Sequence, residues 1–275
     1  MKPIICIPSY KRPSGIAIKR LKDIPLKKFL FVRSEELDIY REIAHENNFT
    51  LVKLKNVNDL GDTRQKICEW CNYKGFDWVF MFDDDISKVE LLSKQGEKIT
   101  SSRILYEPEE SPRFEYAALE IWYKIAKKYN LSLSSPNHRA YDRFDHGYLQ
   151  INCSPCIQCT LLHIPDVISV GNYKTKEKIG NEDYYIQYKL MSQKFLCGKI
   201  GIIEYDCPSV GINKGGCYED YVANPTQEKY VNLFLDNVCN DPKYVTTKTT
   251  KTQRKSVKFI WKNWNGKKIK LKFKG

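Results

Sequence analysis

The sequence lacks the long apolar runs that membrane and secreted proteins carry. No stretch of its 275 residues approaches the roughly 20 apolar residues of a membrane-spanning helix. The apolar run near the start, Ile4-Ile5-Cys6-Ile7, is too short for a secretory signal and is typical of a strand. We therefore expect a cytoplasmic protein with no transmembrane segment.

The sequence also lacks the two matching cysteine pairs that are typical of a structural zinc site. Ten cysteines are scattered along the chain, and neither Cys68-x-x-Cys71 nor Cys153-x-x-Cys156-x-x-Cys159 is followed by a matching second pair. In a cytoplasmic chain such cysteines are expected to be free, buried thiols. A zinc or iron–sulfur site is the less favoured alternative.

Acidic residues are absent after Asp241. Residues 243–275 contain twelve Lys and Arg, and subtracting these from the 45 basic residues of the chain leaves 33, equal to its 33 acidic residues. The whole net charge of +12 therefore lies in this tail. A neutral body with a basic extension predicts a folded domain over residues 1–242 and an extension over residues 243–275 that binds a polyanion.

The body has the pattern of an α/β domain. Its strand patterns at residues 4–8, 28–33 and 49–53 alternate with helical patterns at residues 14–21 and 35–47. We expect a single Rossmann-like domain with a mixed, mainly parallel central sheet. The hydrophobic fraction of 42% and the charged fraction of 28% agree with a folded globular protein rather than a disordered one.

One strand ends in three consecutive carboxylates. The apolar run at residues 78–82 is typical of a strand buried on both faces, and Asp83, Asp84 and Asp85 follow it directly. Ligands of open α/β sheets bind at the carboxyl ends of the strands, and clustered carboxylates suit a hard divalent cation with a phosphate-bearing ligand. The alternative is a solvated acidic turn.

The second half of the body is less regular. Residues 93–113 are polar and predict a long loop, followed by a helix at 114–129 and a strand at 131–135. Residues 148–151 and 159–162 predict a hairpin or two separate strands. Asn181 is a predicted N-cap for a helix at 184–194, and a strand is predicted at 199–205. In the tail, the Thr-rich run at 246–252 predicts a linker, and the alternation of basic and apolar residues at 268–274 predicts an edge strand or hairpin.

Five short motifs resemble, in order, those of the GT-A glycosyltransferases of the family-2 type. They are Ile7-Pro8-Ser9-Tyr10-Lys11-Arg12-Pro13, Gly61-Asp62-Thr63-Arg64, Asp83-Asp84-Asp85, the run from Leu161 to Gly171, and Gly180-Asn181-Glu182-Asp183-Tyr184. Two features depart from that pattern. The second strand ends in Phe31-Val32-Arg33-Ser34-Glu35, without the aspartate that usually contacts the nucleobase, and Gln65 stands where an asparagine is usual.

This resemblance implies an enzyme that transfers a sugar from a nucleotide-sugar donor with inversion. It assigns Mn²⁺ or Mg²⁺ to Asp83 and Asp85, and proton transfer to Asp183 with Glu182 beside it. Helix capping is the alternative for Glu182 and Asp183, and His146 is a candidate second base or metal ligand. The donor-binding residues implied are Pro8, Ser9, Tyr10, Arg12, Arg64 and Asp84, although Arg64 could instead form an ordinary ion pair.

A more specific resemblance, to the TET- and JBP-associated glycosyltransferases of phages and some eukaryotes, implies transfer of a hexose, glucose from a UDP donor being favoured, to hydroxymethylated DNA bases. A phage-encoded chain would then act in the host cytoplasm. The tail agrees with DNA as partner, because basic and aromatic residues suit phosphates and bases, although an anionic lipid surface or a docked strand also fits. A glycosyltransferase with a polysaccharide or protein acceptor is the second hypothesis, and an inactive scaffold that binds nucleic acid is the third. The nucleic-acid-binding residues predicted are Arg254, Lys255, Lys258, Trp261, Lys262, Trp264, Lys267 and Lys268.

Overall fold

The structure is a computed structural model that describes residues 2–95, 98–101, 112–139, 146–171, 173, 182–208, 227–249 and 254–271, without the side chains of 93–101 and 112–115. Its first half is a run of alternating strands and helices, as predicted. The elements are β1 (Ile4–Ser9), α1 (Ile16–Arg20), β2 (Lys28–Arg33), α2 (Leu37–Glu46), β3 (Thr50–Leu54), α3 (Leu60–Tyr73) and β4 (Trp78–Phe82).

The second half adds further strands and helices, and the tail contributes three strands. The elements of the body are β5 (Lys88–Gln95), β6 (Lys98–Ser101), α4 (Pro112–Lys128), β7 (Leu131–His138), β8 (Tyr148–Ile151), β9 (Cys159–His163), α5 (Ile164–Ser169), α6 (Glu182–Ser192), β10 (Leu196–Asp206) and α7 (Glu228–Asn237). Those of the tail are β11 (Val245–Thr249), β12 (Lys255–Phe259) and β13 (Lys267–Lys270).

The central sheet has the order β13-β8-β10-β7-β9-β4-β1-β2-β3. Strands β1 to β4 run parallel, and β9 is antiparallel to both β4 and β7. Because β9 is antiparallel to both of these strands, β7 runs in the same direction as β1 to β4. β10 is parallel to β7 and also runs in this direction. The predicted class, α/β with a mixed, mainly parallel sheet, is confirmed. The carboxyl ends of β1, β4, β7 and β10 consequently meet at one edge.

Apolar side chains cover both faces of the sheet. On one face, Phe80 and Phe82 of β4 contact Trp122 of α4, with ring centroids 5.1 and 6.2 Å apart. On the other face, Ile67 and Cys68 of α3 are fully buried. The central position of β4 explains its uninterrupted apolar run, because a strand covered on both faces has no solvent-facing residue.

Two predictions for polar segments were wrong. Residues 93–95 and 98–101, which were predicted to lie in a loop, belong to β5 and β6, which pair antiparallel with each other, and β5 also pairs antiparallel with β10. The Thr-rich start of the tail forms β11, which pairs with β12. Threonine is β-branched and favours strands, and this preference outweighs the low complexity of the run. Residues 96, 97, 102–111 and 250–252 of these two predictions lie outside the described residues.

The end of the tail is an edge strand, as its alternation predicted. β13 pairs antiparallel with β8, so it extends the central sheet of the body. Predicted strands β8 and β9 are separate rather than a hairpin, because β8 pairs with β10 and β9 with β4. Residues 272–274 lie outside the described part of the chain.

The described cysteines are free, and all but the partly exposed Cys153 are buried, as predicted, while Cys217 lies outside the described residues. None of the helices in the described segments is long and apolar enough to cross a membrane.

Candidate active site

The three aspartates after β4 differ in their exposure. Asp83 and Asp85 each keep 22% of their side chain exposed, whereas Asp84 keeps 6%. The Asp84 side chain is therefore buried in the interior, whereas the side chains of Asp83 and Asp85 are partly accessible to solvent. This difference agrees with metal binding by Asp83 and Asp85 and a separate role for Asp84.

Asp84 holds the loop after β1. It accepts hydrogen bonds from Ser9 Oγ at 2.6 Å and from Arg12 Nη1 at 3.1 Å. The loop passes so close that a Cβ on Gly15 would lie 2.9 Å from the backbone oxygen of Asp84, which only glycine permits. Burial raises the pKa of Asp84 to about 7, against the opposing effect of Ser9 and Arg12. Asp84 is thus a structural anchor for the predicted donor-binding loop.

Tyr40 completes this anchor. Its hydroxyl lies 2.9 Å from Ser9 Oγ and accepts a hydrogen bond from the backbone N–H of Arg12, also at 2.9 Å. Arg12 donates a further bond to Asp85 at 2.9 Å. The loop residues Ser9 and Arg12 are therefore tied to the acidic cluster. Sequence patterns did not identify Tyr40, which lies on the buried side of α2.

Arg64 joins the acidic cluster to α6. Its side chain is 2% exposed and donates to Asp83 at 2.7 Å and to Asp183, with Glu182 Oε1 3.4 Å from Nη1. Burial works against its charge, but the carboxylates of Asp83 and Glu182 outweigh this effect, so the pKa of Arg64 lies above the ordinary value. The structure thus brings together Arg64 of the second motif, Asp83 of the third, and Glu182 and Asp183 of the fifth.

Asp183 and Glu182 stand in the first turn of α6. Asp183 Oδ2 accepts a hydrogen bond from the backbone N–H of Gln158 at 2.9 Å. Burial raises the pKa of Glu182, and the nearby Arg64 opposes this. The predicted N-cap, Asn181, lies outside the described residues.

Tyr173 lies near the same group of charges. It is 3% exposed and its hydroxyl has no hydrogen-bond partner among the residues that the structure describes. Burial raises the pKa of Tyr173, with smaller effects from Cys68, Arg64 and Glu182. Nothing in the sequence pattern distinguished this tyrosine.

The acidic cluster suits a divalent cation with a phosphate ligand. Among the described residues, no group of three or more His, Cys, Asp or Glu side chains could hold a metal ion on its own. Mg²⁺ is usually bound by one or two carboxylates together with substrate phosphates and water. The partly exposed pair Asp83 and Asp85 fits that mode of binding.

The remaining predicted site residues of the body are Pro8, Tyr10 and His146. Pro8 is buried in β1. The Arg33 guanidinium lies 3.8 Å from the centre of the Tyr10 ring, so these two side chains form a cation–π pair. His146 contacts Glu204 at 2.7 Å, near the end of β10.

The predicted nucleic-acid-binding residues differ in how much of each is exposed to solvent. Lys258, Lys262, Lys267 and Lys268 are exposed, and Arg254, Lys255 and Trp261 are partly exposed, with Lys255 ion-paired to Glu228. Trp264 is 9% exposed and packs 4.8 Å from Tyr244 and 5.6 Å from Tyr188, measured between ring centroids. Its ring belongs to the core, so we leave Trp264 out of the proposed nucleic-acid surface.

No protein-family model matches the chain, and no curated protein matches it in sequence. Among solved structures, the chain is similar to S. aureus TarS 1–349, with a TM-score of 0.48 and 11% identity over 86% of this chain and 72% of that one. The same TarS fragment was also solved with UDP.

It is also similar to GalNAc-T7 with UDP, GalNAc and Mn²⁺, with a TM-score of 0.49 and 10% identity over 86% of this chain and 50% of that one. A third similar structure is a 4-diphosphocytidyl-2C-methyl-D-erythritol synthase from Anaerococcus prevotii, with a TM-score of 0.45 and 7% identity over 84% and 96%. At these values the likeness does not distinguish one class of enzyme from another.

Proposed function

We propose that this chain is a metal-dependent, inverting glycosyltransferase that moves a hexose from a nucleotide-sugar donor to a hydroxyl group on DNA. The observation that carries the proposal is the contact of one buried guanidinium, that of Arg64, with Asp83 and Asp183. This contact supports the proposal because it joins the residue proposed as a metal ligand to the residue proposed as the base, although 100 residues separate them in sequence. Inverting sugar transfer needs a cation at the diphosphate that leaves the anomeric carbon and a base at the hydroxyl that attacks this carbon from the opposite side.

Asp83 and Asp85 would hold Mn²⁺ or Mg²⁺. The cation, when bound, supplies a Lewis acid that neutralises the diphosphate leaving group. Arg12 bridges Asp84 and Asp85, so it keeps the donor-binding loop against the cluster. A carboxylate-rich edge needs such fixed positive charge because closely spaced anions repel one another.

Asp183 is the proposed general base. The acceptor oxygen attacks the anomeric carbon and forms the new glycosidic bond, while the bond from that carbon to the diphosphate oxygen breaks. The hydroxyl proton passes to the Asp183 carboxylate. Because attack comes from the face opposite the leaving group, the anomeric configuration inverts.

DNA is the proposed acceptor because the basic tail is attached to the helix that carries the base. Tyr184, next to Asp183, packs on Phe259 of β12 with ring centroids 5.5 Å apart. On that strand Lys258 is exposed while its neighbours Val257 and Phe259 are buried. An exposed lysine at this position suits contact with a phosphate of a DNA backbone. UDP-glucose and a hydroxymethylated base are the proposed substrates, and a base within a duplex would have to be flipped or reached in the groove.

Mass spectrometry of oligonucleotides with hydroxymethylated bases tests the proposal, after incubation with the protein, Mn²⁺ and nucleotide-sugars that include UDP-glucose. We expect a mass gain of one hexose, which should disappear in the Asp83→Asn, Asp85→Asn double variant. Asp38→Asn is the matched control, because Asp38 is an exposed carboxylate on α2. No gain with any donor would contradict the proposal for DNA.

Two further results would point to a different acceptor or a different class of protein. Transfer to a polysaccharide or protein acceptor, without transfer to DNA, would keep the enzyme class and replace the acceptor. A thermal-shift screen that shows no metal-dependent stabilisation by any nucleotide-sugar would favour an inactive scaffold that binds nucleic acid.

A further inference from the structure

Gln158 stands between the acidic cluster and the base. It lies immediately before β9, whose Cys159 pairs with Phe82 at the end of β4. Its carbonyl oxygen accepts a hydrogen bond from the backbone N–H of Asp83 at 3.3 Å, and its own N–H donates to Asp183 at 2.9 Å. One residue therefore contacts both the candidate metal ligand and the candidate base through its main chain.

The backbone of Gln158 is held in an unusual conformation. Its φ of 61° lies in the left-handed region. For a residue other than glycine this conformation is strained and persists only where surrounding contacts fix it. At Gln158 this conformation turns the backbone N–H toward Asp183. The strained conformation and the hydrogen bond to Asp183 therefore occur at the same residue.

The side chain of Gln158 supplies contacts that fix this conformation. Its Oε1 accepts hydrogen bonds from the Tyr205 hydroxyl at 3.1 Å and from the Cys207 thiol at 3.4 Å. Cys207 Sγ also lies 3.4 Å from Nε2 of His138. These partners stand at the carboxyl ends of β10 and β7. The side chain therefore links the base to the half of the sheet that does not carry the three aspartates.

We propose that Gln158 is a positioning residue for Asp183. Its side chain, fixed by Tyr205 and Cys207, sets the direction of its backbone N–H, and that N–H sets the Asp183 carboxylate relative to Asp83. The inference rests on the proposed function, since it takes Asp183 as the base. It predicts that removing a contact distant from Asp183 changes the rate of transfer.

A double-mutant cycle on kcat tests the link. Gln158→Met keeps an unbranched side chain of similar length without the acceptor, and Tyr205→Phe removes only the donor hydroxyl. We expect each variant to lower kcat by about 10- to 100-fold, the size of effect that a small misplacement of a catalytic group causes. The loss in the double variant should be smaller than the product of the two single losses, because both changes remove the Tyr205–Gln158 hydrogen bond. Tyr205→Phe also removes the 3.4 Å contact of its hydroxyl with the carbonyl oxygen of Ile157, and Gln158→Met also removes the contact with Cys207, so the cycle isolates the shared bond.

Two readouts separate positioning from a loss of fold. The donor KM should stay near that of the wild type, because Asp83, Asp85 and Arg12 are unchanged. Gln158→Gly, which adopts a positive φ without strain, should fold and also lose kcat. Gln193→Met is the matched control, because Gln193 is exposed after α6.

A wild-type kcat in Gln158→Met would overturn the positioning role of Gln158. Free-energy losses that add fully in the double variant would do the same, and both results would leave the proposed function standing. A wild-type protein without transfer activity toward any donor and acceptor would overturn the proposed function and, with it, this inference.

Discussion

Arg64 is the residue on which the charge balance of the site depends. Three carboxylates surround its buried guanidinium, those of Asp83, Glu182 and Asp183. Breaking a buried ion pair by removing one partner is strongly destabilising, because the remaining charge stays buried without compensation. Arg64 was predicted to bind the donor or to form an ion pair, and in the structure its guanidinium contacts both acidic segments.

Arg64→Met should therefore lower the free energy of unfolding by about 3–5 kcal/mol. Chemical denaturation at neutral pH measures the change. Arg41→Met is the control, since Arg41 and Asp38 form an exposed pair with 70% and 92% of their side chains accessible. Exposed pairs contribute about 0–1 kcal/mol. Equal losses in the two variants would contradict the importance of the buried charge.

Asp84 should make stability depend on pH. Its folded-state pKa of about 7 lies above the unfolded value of about 4, so the folded state binds more protons between these pH values. The stabilising contribution is fully present below about pH 4 and is lost as the pH rises through about 7. The free energy of unfolding of the wild type should thus fall, relative to that of Asp84→Asn, from about pH 4 to about pH 7.

Denaturation curves of both proteins across this range provide the measurement. Glu182, whose pKa burial also raises, is present in both proteins and cancels in the difference. A difference that does not change with pH would show that Asp84 titrates in its ordinary range.

The sequence predicted the charged residues of the site but not the residues that orient them. Asp83 and Asp183 stood out because carboxylates followed a buried strand or opened a helix. Gln158 acts through its main chain, and no side-chain pattern reports a left-handed φ at a glutamine. Tyr40 had the spacing of a core residue, and its contact with Ser9 becomes visible only when α2 packs on the sheet.

Among the elements, the strands of the tail show how tertiary pairing decides structure. The alternation near the end predicted β13, since one apolar face suits an edge strand. Its partner could not be predicted, because Ile269 pairs with Leu149 of β8, which lies far away in the sequence, and no turn between them fixes the register. For the Thr-rich run the prediction was wrong, because its composition predicted a linker and the structure has β11, which pairs with β12.

Phe259→Ala should destabilise the whole domain, because β12 belongs to the core. Phe259 is 1% exposed, and its ring centroid lies 5.5 Å from that of Tyr184 and 6.5 Å from that of Phe234. Large-to-small changes of buried aromatic residues cost about 3–5 kcal/mol. Denaturation of Lys258→Ala, the exposed neighbour, should show little change, and similar losses in both variants would contradict this packing.

At the scale of the whole molecule, the net charge lies in the tail. The apolar and aromatic side chains of the tail pack on the body, which leaves its lysines toward solvent. Because removal of the tail would also remove β12 and β13 from the fold, a deletion would confuse loss of DNA contacts with loss of structure. Changes of charge alone give a cleaner test.

Replacing four exposed lysines of the tail by glutamine should weaken DNA binding and its dependence on salt. The change is Lys258→Gln, Lys262→Gln, Lys267→Gln and Lys268→Gln. If each contacts one phosphate, the slope of log K against log salt should fall in magnitude by about 3–4. Fluorescence anisotropy with labelled DNA at several salt concentrations measures this slope.

The control carries four changes of the same kind on exposed lysines of the body, at Lys19, Lys22, Lys74 and Lys127. It should keep most of the wild-type slope. An equal reduction in both variants would mean that DNA binding reflects net charge only, and an unchanged slope in the tail variant would remove the DNA argument.

The release of nucleoside diphosphate from nucleotide-sugars tests the central claim most directly, because it requires donor, cation and carboxylates but no particular acceptor. The wild type, assayed with Mn²⁺ or Mg²⁺, should cleave at least one donor and should stop when the cation is chelated. Asp83→Asn with Asp85→Asn should abolish this release, and Asp38→Asn should preserve it. Release by the double variant at the wild-type rate, or no cleavage of any donor by the wild type, would contradict a metal-dependent sugar transferase.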